Sequence, residues 1–100
     1  MVKIEAVIRK EKFEEVYKAL ERSGIGGMTS YEVQGFGLGR GGLQAKHKIE
    51  IFADEFQAET IVELIRSHAV TGKMGDGKIA ILNLENLIRI RTGEDGAAAL

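Results

Sequence analysis

Hydrophobic positions along the chain switch between two spacings, and each switch marks a predicted element. Residues 2–9 alternate apolar and polar side chains, which predicts a half-buried strand. In residues 11–23 the apolar positions recur three and four residues apart, as on one stripe of a helix. Gly24 follows directly and is a natural end for that helix. The chain therefore opens with a strand and a helix.

The remainder of the chain shows the same two spacings, separated by glycine-rich stretches. The predicted elements are a strand at 28–37, an irregular loop at 38–44, a strand at 46–52, a helix at 55–68, a strand at 78–84 and a short fifth strand at 87–91.

The order strand, helix, strand, strand, helix, strand is the split βαβ pattern of an α+β, ferredoxin-like sandwich. One hundred residues without a linker or repeat predict a single domain spanning 1–100. Residues 92–100 are predicted to be a C-terminal tail, of which residues 96–100 are mobile or pack on a neighbour. Because this fold hosts many unrelated activities, function has to be argued from particular residues.

Composition excludes several classes of function. The chain has no cysteine, so disulfides, thiolate metal sites and thiol nucleophiles are excluded. Its net charge of -1 provides no overall basic field, so we expect no nucleic-acid partner. No apolar run reaches the roughly 20 residues of a membrane span. We therefore expect a cytoplasmic protein without direct membrane insertion.

Three of the 13 glycines fall in one short stretch, residues 71–78, called the glycine loop below. Gly72 to Lys78 fits G-x-x-x-x-G-K, but Ile79 stands where a P-loop has Ser or Thr. The loop also follows a helix and enters a strand, the reverse of a P-loop. Backbone N–H groups in such a loop can form a nest for phosphate, with Lys78 adding a charge. The alternative is a plain turn between helix and strand.

Arg89 and Arg91 are two residues apart, so on the predicted fifth strand they share one face. Two neighbouring guanidinium groups repel each other unless an anion such as a diphosphate or triphosphate lies between them. The alternative is a solvated edge strand protected by its charges.

Taken together, several spaced motifs resemble the PII signal-transduction proteins. The resemblance covers the chain except residues 38–45. It rests on Lys3-Ile4-Glu5-Ala6-Val7-Ile8-Arg9, Gly27-Met28-Thr29, Glu32-Val33-Gln34-Gly35-Phe36-Gly37, Thr71 to Ile79, and Leu87-Ile88-Arg89-Ile90-Arg91-Thr92-Gly93-Glu94.

The resemblance implies a homotrimeric regulator that binds ATP or ADP in clefts between subunits and controls a partner protein, either a membrane transporter or a metabolic enzyme. Nitrogen regulation is the implied setting. The partner itself is not indicated, and a need for Mg²⁺ is left open. The implied nucleotide contacts are Val7, Thr29, Glu50 and Phe52 on the adenine side, the backbone of Gly35, Gly37, Gly75, Asp76 and Gly77, and Lys78, Arg89 and Arg91 at the phosphates.

From the residues alone, four of these positions have simpler explanations. Val7 and Phe52 also suit a core, Thr29 a plain strand position, and Glu50 a solvent-facing one.

One stretch departs from the family pattern. The family's long T-loop is shortened here to residues 38–45, and Leu38-Gly39 replaces its Arg-Gln. The resemblance therefore implies loss of normal 2-oxoglutarate sensing and of T-loop modification. Arg40 is a candidate replacement for the missing arginine, or a solvent-exposed loop charge, and Lys46 matches a family lysine that bridges phosphates.

Other functions are less well supported. No catalytic triad or Cys–His pair can be assembled, so we expect a non-enzyme, with weak ATP hydrolysis as an alternative. His47 and His68 lack ligand-spaced neighbours, which disfavours a metal-binding trimer, and a capping role at a helix end is the simpler reading of His68. A further alternative is a diverged relative that senses AMP, a cyclic nucleotide or bicarbonate.

Overall fold

The computed structural model describes residues 1–38 and 41–100. Its elements follow the predicted order as far as the fourth strand. They are β1 (Val2–Arg9), a 3-10 turn (Lys10–Lys12), α1 (Phe13–Arg22), β2 (Thr29–Gly35), β3 (Gln44–Ala53), α2 (Glu55–Ala69), β4 (Gly77–Asn83) and a second 3-10 turn (Gly96–Ala99).

The four strands form one sheet in the order β2-β3-β1-β4. All neighbouring strands are antiparallel, with Val7 of β1 opposite Lys48 on one side and Lys78 on the other. This topology confirms the predicted α+β, ferredoxin-like fold. The strands β2 and β4 are the two edges of the sheet.

The core lies between the two helices and one face of the sheet. Val2, Ile4, Ala6 and Ile8 are all at most 4% exposed, so the alternation read from residues 2–9 is confirmed. Burying a Val or Ile side chain is worth about 1.5–3 kcal/mol, so this face contributes substantially to stability. The other buried members of the cluster are Val16, Leu20, Ile49, Ile51, Ala53, Ile61, Ile65 and Ala69.

The helix ends follow local chemistry. Asp54 caps α2: its carboxylate accepts from the N–H of Phe56, and the Asp54 N–H donates to the side-chain carbonyl of Gln57. Gly24 has a φ of 82°, as expected of a glycine that ends a helix. The predicted first helix is shorter than expected, because residues 10–12 form a 3-10 turn before α1 begins.

The predicted fifth strand at 87–91 is wrong. That segment has only one isolated bridge, between Ile88 and Asp95. Gly93 turns the chain back with a φ of 76°, and the Arg89 N–H donates to the Glu94 carbonyl at 2.8 Å. The chain therefore reverses before a partner strand can form, although its side chains alternate like those of a strand.

None of the described helices has the length and hydropathy needed to span a bilayer.

Candidate functional site

The glycine loop is shaped by a carboxylate of its own. Asp76 accepts hydrogen bonds from the N–H groups of Thr71 and Gly72 at 2.8 and 2.9 Å, and from the Thr71 hydroxyl. Bonds from Thr71, followed by one from Arg9, hold the pKa of the Asp76 carboxyl well below its ordinary value near 3.8. The loop is therefore more than a flexible glycine turn.

Two cations from the sheet are directed at the backbone of this loop. Arg9, at the end of β1, donates to the Asp76 carboxylate and to the Met74 carbonyl, both at 2.8 Å. Lys46 of β3 donates to the Gly75 carbonyl at 2.6 Å. Because Arg9 and Lys46 lie opposite each other in the sheet, β1 and β3 together fix the loop from one side.

Gly77 marks the closest approach of the loop to the sheet. Its φ is 100°, and a Cβ atom placed on it would lie 1.7 Å from the Val7 carbonyl oxygen. Any other residue would therefore clash with the backbone of β1 as well as being strained. The glycine at this position is required by β1–β4 packing alone, whatever the loop binds.

Eight of the predicted site residues line two cavities on the face of the sheet that points away from the helices, called the outer face below. The first, the loop cavity, has a volume of about 130 Å³. Its lining includes five predicted residues, Val7, Gly35, Gly37, Lys46 and Gly75.

The second, the distal cavity, has a volume of about 310 Å³ and is lined by Thr29, Glu50 and Phe52. Thr29 and Glu50 are paired across β2 and β3, so their side chains share the outer face with Phe52. Phe52 is 48% exposed, so its ring is open to a ligand or a neighbouring chain. Val7 was predicted to contact the adenine together with these three residues, but the structure places it in the other cavity.

The two cavities lie at opposite ends of the sheet. Lys46 and Phe52 are six residues apart on β3, which corresponds to about 20 Å at the rise of a β-strand. Lys46 and Phe52 are therefore too far apart to contact the same chemical group of one small ligand.

Three further predicted residues, Asp76, Gly77 and Lys78, line a cavity of about 350 Å³ beside α2. Lys78 is exposed on the edge strand β4, opposite Val7. Within the described part of the chain its amine has no ion pair. It is therefore a free cation next to the glycine loop.

Arg89 belongs to the distal end of the molecule. Its guanidinium donates to the Glu94 carboxylate at 3.2 Å and to the Leu100 main-chain oxygen at 2.9 Å. Leu100 itself lines the distal cavity. Arg91 is exposed and, without a fifth strand, nothing places the two guanidinium groups on a common face.

Glu50 does not simply face solvent. It accepts a hydrogen bond from the Tyr31 hydroxyl and lies 3.4 Å from the Lys3 amine, with Lys48 at 3.7 Å. The bond from Tyr31, with Lys3 in support, lowers the pKa of the Glu50 carboxyl below its ordinary value. Glu50 is therefore ionised and held in place at the distal cavity.

Three residues important to these sites were not predicted: Arg9, Tyr31 and Leu100. Arg9 and Tyr31 share the outer-face parity of predicted neighbours, which was the available signal. No signal in the sequence pointed to Leu100, because its position depends on the fold of the C-terminal segment. The predicted Arg40 lies outside the described residues.

Each of the two histidines contacts a residue of α1. The His47 ring stacks on Phe13 with centroids 3.6 Å apart. His68 Nδ1 lies 3.0 Å from a carboxylate oxygen of Glu15 on α1, so its contact is with the other helix and not a cap on its own. Among the described residues no group of three or more acidic or histidine side chains is placed to hold a metal ion.

The fold and the loop define a class of protein, a small ferredoxin-like domain whose glycine loop is held by hydrogen bonds from two cationic side chains. The family model described as "Nitrogen regulatory protein P-II" matches residues 1–94. The chain is 41% identical to the nitrogen regulatory protein P-II of Rhizobium meliloti (strain 1021) and 43% identical to that of Synechocystis sp. (strain ATCC 27184 / PCC 6803 / Kazusa), with each chain covered completely. It is 44% identical to the nitrogen regulatory protein P-II 2 of Methanothermobacter thermautotrophicus (strain ATCC 29096 / DSM 1053 / JCM 10044 / NBRC 100330 / Delta H), with 97% of that protein covered.

The chain therefore belongs to the PII family of nitrogen regulatory proteins, whose members are signal-transduction regulators rather than enzymes. These alignments extend over 112 positions, so 12 of them lie opposite gaps in this 100-residue chain. The connection between β2 and β3 spans residues 36–43.

Proposed function

We propose that the protein binds an adenine nucleotide, ATP or ADP, in a cleft formed by two copies of the chain, and that the bound nucleotide controls its association with a partner protein. The loop cavity of one copy would receive the phosphates, and the distal cavity of the next copy would receive the base and ribose. The observation that carries the proposal is the division of the predicted site residues between these two cavities.

The chemistry of each cavity suits one half of a nucleotide. At the loop end, Lys46 and Lys78 are cations beside a glycine-rich backbone, which is a setting for phosphate. At the distal end, the exposed Phe52 ring suits a flat base, and the ionised Glu50 suits a ribose hydroxyl. Arg89 lies at that same end, so the second copy would contribute an additional cation.

The distance between the cavities supports a shared cleft. Since Lys46 and Phe52 are about 20 Å apart along β3, a second copy that brings its distal end to the loop of the first would place the two halves of the nucleotide site together. Closed cyclic symmetry would then create one identical cleft per subunit. The exposed edge strands β2 and β4 are surfaces available for such contacts.

The loop favours binding over hydrolysis. Ile79 replaces the hydroxyl residue that holds Mg²⁺ in P-loop enzymes, and Asp76 is already bonded to Thr71, Gly72 and Arg9. Slow release of phosphate remains the competing function, to be measured alongside binding.

The connection between β2 and β3 supports an altered signal. It has only eight residues, and Leu38-Gly39 stands where the family has Arg-Gln. We therefore propose that the protein does not sense 2-oxoglutarate through the usual chelated magnesium, and that the T-loop modification sites of the family are missing. The partner, a transporter or a metabolic enzyme, would then recognise a different surface from that used by longer relatives.

Isothermal titration calorimetry tests the nucleotide proposal. ATP and ADP are titrated into the purified protein, with AMP, cyclic AMP, bicarbonate and 2-oxoglutarate as competing candidates. Lys78→Ala should weaken ATP binding by about 1.5–3 kcal/mol, the range for hydrogen bonds to charged groups. Lys18→Ala, an exposed lysine on α1, is the control and should bind normally. Absence of ATP and ADP binding at millimolar concentration would rule the proposal out.

A further inference from the structure

Arg9 makes an unusual set of contacts for a strand residue on an open sheet face. Its side chain is only 15% exposed. Nε donates to the Asp76 carboxylate and Nη2 to the Met74 carbonyl, both at 2.8 Å. A Cβ atom on Gly75 would lie 3.3 Å from Nη2, so the guanidinium packs directly against the turn of the loop. The Arg9 side chain thus binds both the Asp76 carboxylate and the backbone of the loop.

These bonds fix which way the peptide groups of the loop point. The Met74 carbonyl faces Arg9, and the Gly75 carbonyl faces Lys46. The peptide bonds are trans, so each C=O points opposite to the N–H of the next residue. The N–H groups of Gly75 and Asp76 are therefore turned away from the two cations. Among the described residues neither N–H donates to another backbone group, so both remain available to an anion on the side of the loop away from Arg9 and Lys46.

Arg9 also compensates the charge of Asp76. Both carboxylate oxygens are used inside the molecule, Oδ1 by Arg9 and the Thr71 hydroxyl, and Oδ2 by the N–H groups of Thr71 and Gly72. A free carboxylate in this loop would repel phosphate. Paired with Arg9, it shapes the loop without leaving an uncompensated negative charge there.

We infer that Arg9 is a positioning residue for the phosphate-binding loop. It neutralises Asp76 and orients the loop donors, and it acts on the nucleotide through the loop and not by contact. This inference rests on the proposed function, but its structural half, that Arg9 sets the conformation of the loop, holds in the absence of any ligand.

The test is a double-mutant cycle with Arg9→Met, Asp76→Asn and the double variant. Arg22→Met, an exposed arginine on α1, serves as the matched control. ATP affinity is measured by calorimetry, and the amide signals of Thr71, Gly72 and Lys73 by NMR without nucleotide. Each single variant should weaken ATP binding roughly tenfold, about the effect of one charge-assisted hydrogen bond, and the double variant should be no weaker than the singles. The three amide signals should shift in each variant, while signals of the core should not.

Other results would overturn either the positioning role of Arg9, its coupling to Asp76, or the proposed function. Weakened ATP binding with unmoved loop amides would make Arg9 a direct ligand and overturn the positioning role. Strictly additive losses in the double variant would overturn the coupling of Arg9 to Asp76. If the unmodified protein binds no nucleotide, the proposed function fails, and the amide shifts alone then decide whether Arg9 holds the loop. Should Arg9→Met fail to fold, Arg9→Lys gives the same readouts, because one amine cannot make both bonds at their observed positions.

Discussion

Replacing Gly77 by alanine is the most severe single change that the structure predicts for the glycine loop. Gly77 pairs with Ile8 at the start of β4 and has a φ of 100°. An added Cβ would lie 1.7 Å from the Val7 carbonyl oxygen and 2.8 Å from its carbonyl carbon. Both are backbone atoms of a central strand, so no side chain can rotate to make room.

The expected cost has two parts. Forcing alanine into the left-handed region costs about 1–2 kcal/mol. Contacts of Cβ atoms below 3.0 Å are essentially never seen, so the strands must separate by about 1.3 Å. Overpacking of this kind typically costs about 1–3 kcal/mol. Gly77→Ala should therefore destabilise the fold by about 2–5 kcal/mol, a large share of the roughly 5–15 kcal/mol available to a typical domain.

Gly72→Ala is the matched control. Gly72 has a φ of 86°, and no atom lies within 4 Å of a Cβ placed on it. Alanine there should therefore lower the free energy of unfolding only through the strained backbone conformation, by about 1–2 kcal/mol. Urea unfolding at one fixed chain concentration measures both variants, because assembly makes apparent stability depend on concentration. Equal losses in the two variants would refute the close approach of Gly77 to β1.

Three further predictions concern single side chains. Asp54→Ala removes the capping box of α2 and should lower the free energy of unfolding by about 1 kcal/mol in urea melts, whereas no change would show the cap to be idle. Because the pKa of the Asp76 carboxyl is depressed, its bonds to the loop persist as the pH falls through 3.8 and are lost only below that pH. The NMR amide signal of Gly72 should therefore not move near pH 3.8. A transition of that signal centred near pH 3.8 would contradict the prediction. Arg89→Ala should weaken ATP binding by about 1.5–3 kcal/mol in calorimetry, and an unchanged affinity would show that Arg89 serves only the C-terminal segment.

The sequence predicted the sheet and its core well, for a simple physical reason. In β1 the apolar positions alternate from end to end, and in α2 Ile61, Ile65 and Ala69 recur four residues apart; tertiary packing buries both faces. Glycine placement was equally informative at Gly24 and Gly77, where the backbone has positive φ.

The prediction failed where a turn overrode the side-chain pattern. Residues 87–91 alternate like a strand, but Gly93 and Gly96, both with positive φ, fold the chain back too soon for a ladder. A strand needs a partner as well as a pattern, and the partner is not visible in local sequence. Without that strand, Arg89 and Arg91 do not share one face of a sheet.

The candidate site residues were predicted by resemblance, but their arrangement was not. Nothing in the sequence indicates that Lys46 and Phe52 belong to different cavities, since both lie on β3 with the same outward parity. Their separation of about 20 Å along the strand becomes visible only in the fold. Arg9 was missed because its role depends on a loop 65 to 67 residues away in sequence.

The central claim, a nucleotide cleft completed by a second copy, is tested most directly by mixing two defective variants. Lys78→Ala impairs the loop end, and a Glu50→Ala, Phe52→Ala double variant impairs the distal end. In a cyclic assembly, random mixing of equal amounts should restore both intact halves in about one quarter of the clefts. Denaturing and refolding the two chains together, followed by ATP calorimetry, should therefore recover about a quarter of the high-affinity sites, though neither variant alone has any. Recovery of no high-affinity sites, in mixtures shown to contain both chains in one assembly, would contradict the shared cleft.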